Sequence, residues 1–190
     1  GMGDTLQFIR YAALVKQQGG RVIVECQPPL MRLLESIATI DQLVPQDSPL
    51  PPFDLHAPLL SLPHILGTTL ETIPAEVPYL LPPSPPPPFP SSPSLHIGIV
   101  WSGNPDHKND RLRSCQLSDL QPLFDLPGVV FHSLQKGAAA EALRSLPHLP
   151  IHDSSDQLQD FADTATAIAQ LDLVITVDTA VAHLAGGLGK

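Results

Sequence analysis

The sequence predicts an α/β protein built on parallel sheets. Three observations carry this. Short apolar, β-branched runs alternate with helical patterns along most of the chain. The strongest runs, 95–101, 129–134 and 173–177, are apolar on both faces, as in strands covered on two sides. The links between strand and helix patterns are short, as in βαβ units.

Taken in order, Gly3-Asp4-Thr5 starts a helical pattern with Leu6, Ile9, Ala13 and Val15 on one face, closed by Gly19-Gly20. Arg21 to Cys26 reads as a short strand with a buried centre. Pro28-Pro29 opens a helix carrying Leu30, Leu33, Leu34 and Ile37. Leu43-Val44 and Phe53 to Ala57 read as further short strands, and Leu59 to Leu66 as a short helix before the turn Gly67-Thr68-Thr69.

Residues 82–93 are almost entirely proline and serine. Proline cannot donate to a ladder, so an extended polyproline II spacer is expected. At about 3.1 Å per residue it reaches roughly 35–40 Å, enough to join two domains. The division predicted is residues 1–81, a linker at 82–94, and residues 95–190. A proline-rich docking motif for another protein is the rival reading of this stretch.

The second half opens on the strand pattern Leu95 to Trp101 and the polar loop Ser102 to Ser114. A short helix capped by Ser118 follows, then a turn at Pro127-Gly128. Val129 to Leu134 reads as a strand, Ala138 to Leu146 and Phe161 to Leu171 as helices. A last apolar run, Leu173 to Val177, reads as a buried parallel strand. It meets the helical pattern Ala180 to Gly187 at Asp178-Thr179. The start Gly1-Met2-Gly3-Asp4 reads as a loop between strand and helix, and Gly189 as a helix end leading onward, so a piece of a longer chain is expected.

Composition narrows the function. The formal net charge is -9. Neutralising a phosphate backbone needs clustered Lys and Arg, so no nucleic-acid partner is expected. No apolar run is long enough for a bilayer span, so no integral membrane segment is expected. Cys26 and Cys115 lie far apart on different elements, which suits unpaired thiols and a cytoplasmic setting.

In open α/β sheets ligands bind beyond the carboxyl ends of the strands. Four loops leave such ends: Gly1–Asp4, Ser102–Ser114, Gln135–Gly137 and Asp178–Thr179. The loop 102–114 holds Lys108, Arg111 and Arg113 in a chain with ten basic residues, while Gly103 permits close backbone approach. Asn104 and Ser114 are able to donate to phosphate oxygens. At 178–179 a carboxylate and a hydroxyl meet a helix N-terminus, where partial positive charge favours phosphate. His183 returns to the face of Thr179 one turn on. The plainer alternatives are a solvated loop, an ordinary helix capped by Asp178, and Asp4 as the N-cap of the first helix. The loop matches neither a P-loop nor a dinucleotide fingerprint. His56, His64, His96, His107, His132, His148 and His152 lack the close sequence pairing of metal ligands.

Three motifs together carry a resemblance: Gly1-Met-Gly-Asp-Thr-Leu6, Ile99-Val-Trp-Ser-Gly-Asn-Pro105 and Asp178-Thr-Ala-Val-Ala-His-Leu-Ala-Gly186. In order and spacing they resemble heptosyltransferase-like glycosyltransferases of family 9, above all bacterial proteins in which such a domain follows tetratricopeptide repeats. Asp160 to Ala165 fits the same group. The resemblance implies a GT-B architecture, two Rossmann-like domains facing across a cleft, both incomplete here, with upstream tetratricopeptide repeats. It implies inverting sugar transfer from a nucleotide-diphosphate sugar to a glycan or protein acceptor, with no cofactor and no metal. Asp4 matches the family's general base. Lys108, Asp178, Thr179, Ala180 and His183 would contact the donor, with Ser102, Gly103, Asn104 and Ser114 beside its phosphates and Gln135 and Lys136 by the nucleoside. Ala180 stands where the family usually has glycine, and the wording around Lys108 differs. A catalytically inactive interaction domain attached to helical repeats is the alternative, and a nucleotide-sugar epimerase a third.

Overall fold

The computed structural model describes residues 1–84 and 94–190. The predicted spacer therefore lies largely outside the described residues. The first helical pattern divides into α1 (Met2–Phe8), a 3-10 turn (Ile9–Tyr11) and α2 (Ala12–Gln17). The tighter turn brings Leu6, Ile9 and Ala12 to the core at intervals of three, displacing Ala13, which a continuous α-helix would have buried. The strand β1 (Ile23–Cys26) leads through a proline-opened 3-10 turn (Pro28–Leu30) into α3 (Met31–Leu34). Next comes β2 (Gln42–Pro45), paired in parallel with β1. The strand expected at Phe53–Ala57 does not form: Pro51, Pro52 and Pro58 bracket it, and Leu55 is 90% exposed. A 3-10 turn (Leu59–Ser61) and α4 (Leu62–Ile65) follow.

The second sheet begins with β3 (Leu95–Val100), followed by the single turn α5 (Asp110–Arg113) and a 3-10 stretch (Leu117–Leu123). That stretch is preceded by Gln116, whose N–H is received by Asp119 Oδ2 at 2.8 Å. Ser118 is therefore inside the element rather than its cap. Then come β4 (Val129–Ser133), a 3-10 turn (Ala138–Ala140), α6 (Glu141–Arg144) and β5 (Ile151–Asp153). The last of these is a strand too short for the sequence pattern to announce. The chain closes with α7 (Phe161–Ala169), β6 (Leu173–Thr176) and α8 (Ala180–Gly187).

The second sheet is wholly parallel, in the order β5-β4-β3-β6. The chain runs outward from β3 through β4 to β5, then returns to place β6 on the other side of β3. That reversal of direction is the topological switch point. Ile97, Ile99, Trp101, Phe124 and Phe131 form a core on one face. On the other face Val100 and Leu134 join α7, α8 and the helices of the first half in a single larger core. Leu6, Ile9, Leu30, Leu33, Leu34 and Leu80 belong to it together with Ala162, Ala165, Ile168 and Leu184.

β6 departs from the expected buried strand. Leu173 is 43% exposed and Val174, Ile175 and Thr176 are only half-buried. Its apolar run has the composition of a central strand, yet among the described residues it pairs with β3 alone. None of the helices among the described residues is long and apolar enough to cross a membrane.

Candidate functional site

The carboxyl ends of β3 and β4 are held in position by a buried amide. Gln135, 4% exposed, follows β4. Its Oε1 accepts the N–H groups of Trp101 (3.1 Å) and Ser102 (2.9 Å). Its Nε2 donates to the carbonyls of Ser102 (3.1 Å) and Lys136 (2.9 Å). All four hydrogen-bonding positions of the amide are thus used on main chain, fixing where the 102–114 loop departs.

That loop is folded on itself. Ser114 Oγ accepts the Gly103 N–H at 2.9 Å and donates to Asp110 Oδ1 at 2.7 Å. A Cβ at Gly103 would stand 3.1 Å from that carboxylate, so a larger residue would press on the contact. Asn104 Oδ1 accepts the Asp106 N–H at 3.1 Å, closing an Asx turn. Lys108 is exposed and makes no hydrogen bond or ion pair among the described residues. Beside the loop lies a cavity of about 440 Å³ lined by Trp101, Ser102, Asp110, Arg111, Ser114 and Cys115.

Across the switch point stands the start of α8. Thr179, not Asp178, is its N-cap, with Oγ1 accepting the Val181 N–H at 3.2 Å. Asp178 is left with its side chain largely exposed. Arg113 reaches over from the loop, donating to the Asp178 carbonyl and bringing Nη1 to 3.5 Å from its carboxylate. Its Nε is buried without a hydrogen-bond partner among the described residues. Sequence reading chose Lys108 as the loop's anion-binding cation. The side chain that touches the 178–179 junction is Arg113, and its only signal in the sequence was membership of a basic loop.

The first turn of α1 arrives from the other side. A Cβ on Gly3 would lie 2.9 Å from His183 Cδ2 and 3.5 Å from Ala180 Cα, so glycine is what lets α1 settle against α8. Asp4 comes next in the chain. It is the third residue of the helix rather than the N-cap, which is Gly1, and its carboxylate accepts the Gly1 amino group. An acidic residue in the first turn still favours the helix electrostatically. Gly3, Ala180 and His183 are therefore drawn together, with Asp4 next to Gly3 in the chain, while Ser102, Gly103 and Ser114 share the loop from which Arg113 reaches Asp178. Lys136 is turned aside, its Nζ donating to the Ser155 carbonyl at 2.7 Å.

Three histidines left unassigned by the sequence form a row on the α7 face of the sheet. His132 and His152 occupy opposed positions of β4 and β5, their ring centroids 5.3 Å apart. His96 Nδ1 lies 3.0 Å from His132 Nε2. Burial, with His152 and His96 adding to it, pushes His132 down to about 4. The ordinary value is about 6.5, so as pH falls through that value the unfolded chain takes up a proton that the folded protein refuses. Thermal stability is therefore expected to decline between pH 6.5 and about 4. His132→Gln should flatten that slope in melting curves recorded across the interval, and an unchanged slope would remove His132 as its cause.

Fold and crevice together define the class: an α/β protein whose parallel sheet presents an Arg-clamped, helix-capped switch point. No protein-family model, curated protein or solved structure matches the chain.

Proposed function

We propose that this protein is an inverting, metal-independent glycosyltransferase of GT-B type, taking a sugar from a nucleotide-diphosphate donor to a glycan or protein acceptor. The observation that carries the reading is the convergence of the 102–114 loop and the N-terminus of α8 at one switch point, bridged by Arg113. In this reading residues 95–190 hold the donor and residues 1–81 bring Asp4 to the acceptor. The diphosphate lies along the start of α8, where helix N–H groups and cations stabilise the leaving group without a metal. Arg113 exchanges its contact with the Asp178 main chain for phosphate oxygens, while Lys108 closes over the donor from the exposed loop. Gln135 positions the loop, and Ser102, Gly103, Asn104, Ser114, Thr179, Ala180 and His183 line the path of the donor.

The test is calorimetric titration with nucleoside diphosphates. Binding is expected for the unmodified protein. Arg113→Ala is expected to weaken it by about tenfold or more, the value of one charge-assisted hydrogen bond. Lys108→Ala and Asp178→Ala should weaken it less, the first through loss of a flexible surface charge and the second because Arg113 is then less firmly held beside the start of α8. Absence of binding by every nucleoside diphosphate removes the proposal. Incubation with donor alone separates transferase from epimerase, since only an epimerase alters the donor without an acceptor.

One observation favours a non-catalytic second reading. Between residues 50 and 77, Leu50, Phe53, Leu55, Leu70, Ile73 and Val77 are exposed. Such a density of apolar side chains suits a surface that meets another protein. An interaction domain would keep its fold and partner binding when nucleotide affinity is absent.

A further inference from the structure

Resting on the donor reading above, we infer that the cavity beside the 102–114 loop takes the donor's nucleoside and selects a base with an exocyclic amino group over uracil or thymine. The residues expected by the nucleoside have little to offer it. All four hydrogen-bonding positions of the Gln135 amide are used on main chain, and the Lys136 ammonium is drawn to the Ser155 carbonyl. The cavity adjoins the phosphate position through α5, which Asp110 opens and Arg113 closes. A Cβ on Gly103 would stand 3.1 Å from Asp110 Oδ1 and 3.5 Å from Arg113 Nε, so carboxylate and guanidinium lie side by side. Arg113 is turned to the start of α8, while Asp110 lines the cavity. A nucleotide whose diphosphate meets Arg113 thus brings its sugar past Asp110 and its base into the cavity.

At about 440 Å³ the cavity falls within the usual range for small-molecule sites. Trp101, Leu117, Ala139 and Ala142 give it apolar walls suited to the faces of a ring. Asp110 and Asp119 set its polar character. Each carboxylate holds one hydrogen bond within the chain: Asp110 Oδ1 accepts from Ser114 Oγ at 2.7 Å, and Asp119 Oδ2 from the Gln116 N–H at 2.8 Å. The second oxygen of each makes no hydrogen bond or ion pair among the described residues. Arg111, the cation of the lining, follows Asp110 on α5 and so belongs to the sugar end. A carboxylate oxygen only accepts hydrogen bonds. Asp110 Oδ2 is then met by a ribose hydroxyl and Asp119 Oδ1 by an amino group on the base. Adenine, guanine and cytosine carry such a group. Uracil and thymine carry carbonyls instead, and their ring N–H lies between two of them, so an approaching carboxylate meets lone pairs.

The experiment is calorimetric titration of the full chain with ADP, GDP, CDP, UDP and thymidine diphosphate, and with inorganic pyrophosphate as a probe of the diphosphate position alone. The tightest of the three amino-bearing nucleotides is expected to exceed UDP and thymidine diphosphate by about tenfold or more, the value of a hydrogen bond to a charged group. In Asp119→Asn the amide oxygen keeps the Gln116 N–H and turns an amino group to the base, so that preference should vanish or invert while pyrophosphate affinity stays unchanged. Ala142→Leu, at an exposed helical position, should weaken every nucleotide by about tenfold or more and leave pyrophosphate and the melting curve unchanged. UDP or thymidine diphosphate binding as tightly as the amino-bearing nucleotides overturns the inference and leaves the donor reading standing. So does a preference that survives Asp119→Asn, or nucleotide binding indifferent to Ala142→Leu. If Asp119→Asn melts early, the nucleotide series and Ala142→Leu decide by themselves. If neither pyrophosphate nor any nucleotide binds, the donor reading falls and the inference with it.

Discussion

Leu80→Ala is expected to lower the free energy of unfolding by about 2–5 kcal/mol, the range for emptying an enclosed leucine site. Leu80 is 0% exposed, and it sits on a strap that has no regular secondary structure of its own. The strap ties the first half of the chain to α8. The N–H groups of Tyr79 and Leu80 both reach the Gly187 carbonyl at 3.0 Å. Tyr79 donates its hydroxyl to the Leu6 carbonyl at 3.0 Å, and Arg10 lies 4.1 Å above the tyrosine ring while donating to the Pro74 carbonyl. The leucine is thereby pinned against Gly187, where a Cβ would stand 2.6 Å from its Cδ1. Gly187→Ala is expected to be destabilising as well, by about 1–3 kcal/mol of overpacking less the roughly 1 kcal/mol that alanine returns to a helix. The two changes occupy the same space, so Leu80→Ala with Gly187→Ala should cost less than their sum. Leu81→Ala, at an exposed neighbour, should stay within about 0.5 kcal/mol. Urea titration of the four variants checks the set, and additivity would show that Leu80 and Gly187 do not share a site.

The parallel α/β class was legible because it is written in local composition. The apolar runs that became β3, β4 and β6, and the alanine-rich pattern that became α7, need no knowledge of their neighbours to be recognised. What could not be read depends on partners far along the chain. Phe53–Ala57 has strand-forming residues, yet its flanking prolines leave it no ladder to join. β5 is only three residues long and is defined by pairing with β4, not by its own pattern. β6 is less buried than its composition suggests because burial belongs to the sheet position, and among the described residues β6 pairs on one side only.

At the candidate site the same division holds. The motif Asp178-Thr179 was recognised as a helix start, but which residue caps it is decided by backbone direction, and Thr179 points its hydroxyl back to Val181 while Asp178 turns outward to Arg113. Lys108 and Arg113 are indistinguishable as charges in a loop. The single turn Asp110–Arg113 selects between them by aiming Arg113 at the junction and leaving Lys108 in solvent. The histidine row exists only because three adjacent parallel strands hold His96, His132 and His152 at neighbouring positions of one face.

Asp4→Asn is expected to reduce turnover by about 10²–10⁴-fold, the usual contribution of a general base, with nucleoside diphosphate affinity unchanged. The substitution keeps the shape of the side chain but gives up the charge that pairs with the Gly1 amino group and the ability to accept the acceptor hydroxyl's proton. On the proposed reading, position is what would suit the carboxylate to that work. It is 45% exposed, in the first turn of α1, one residue from the glycine that rests on His183 and Ala180. Gly3→Ala supplies the complementary result. A Cβ there meets the His183 ring at 2.9 Å, so the ring must turn or α1 must move away from α8. On the proposed reading turnover falls together with affinity, because α8, which would hold the donor, is disturbed as well as α1. Release of nucleoside diphosphate, measured with each donor that the titrations identify and with a glycan or peptide acceptor pool, gives both numbers. If Asp4→Asn turns over as fast as the unmodified protein, Asp4 is not the base. If neither protein turns over while both bind nucleotide, the fold serves as a binding domain and the exposed apolar stretch between residues 50 and 77 becomes its working surface.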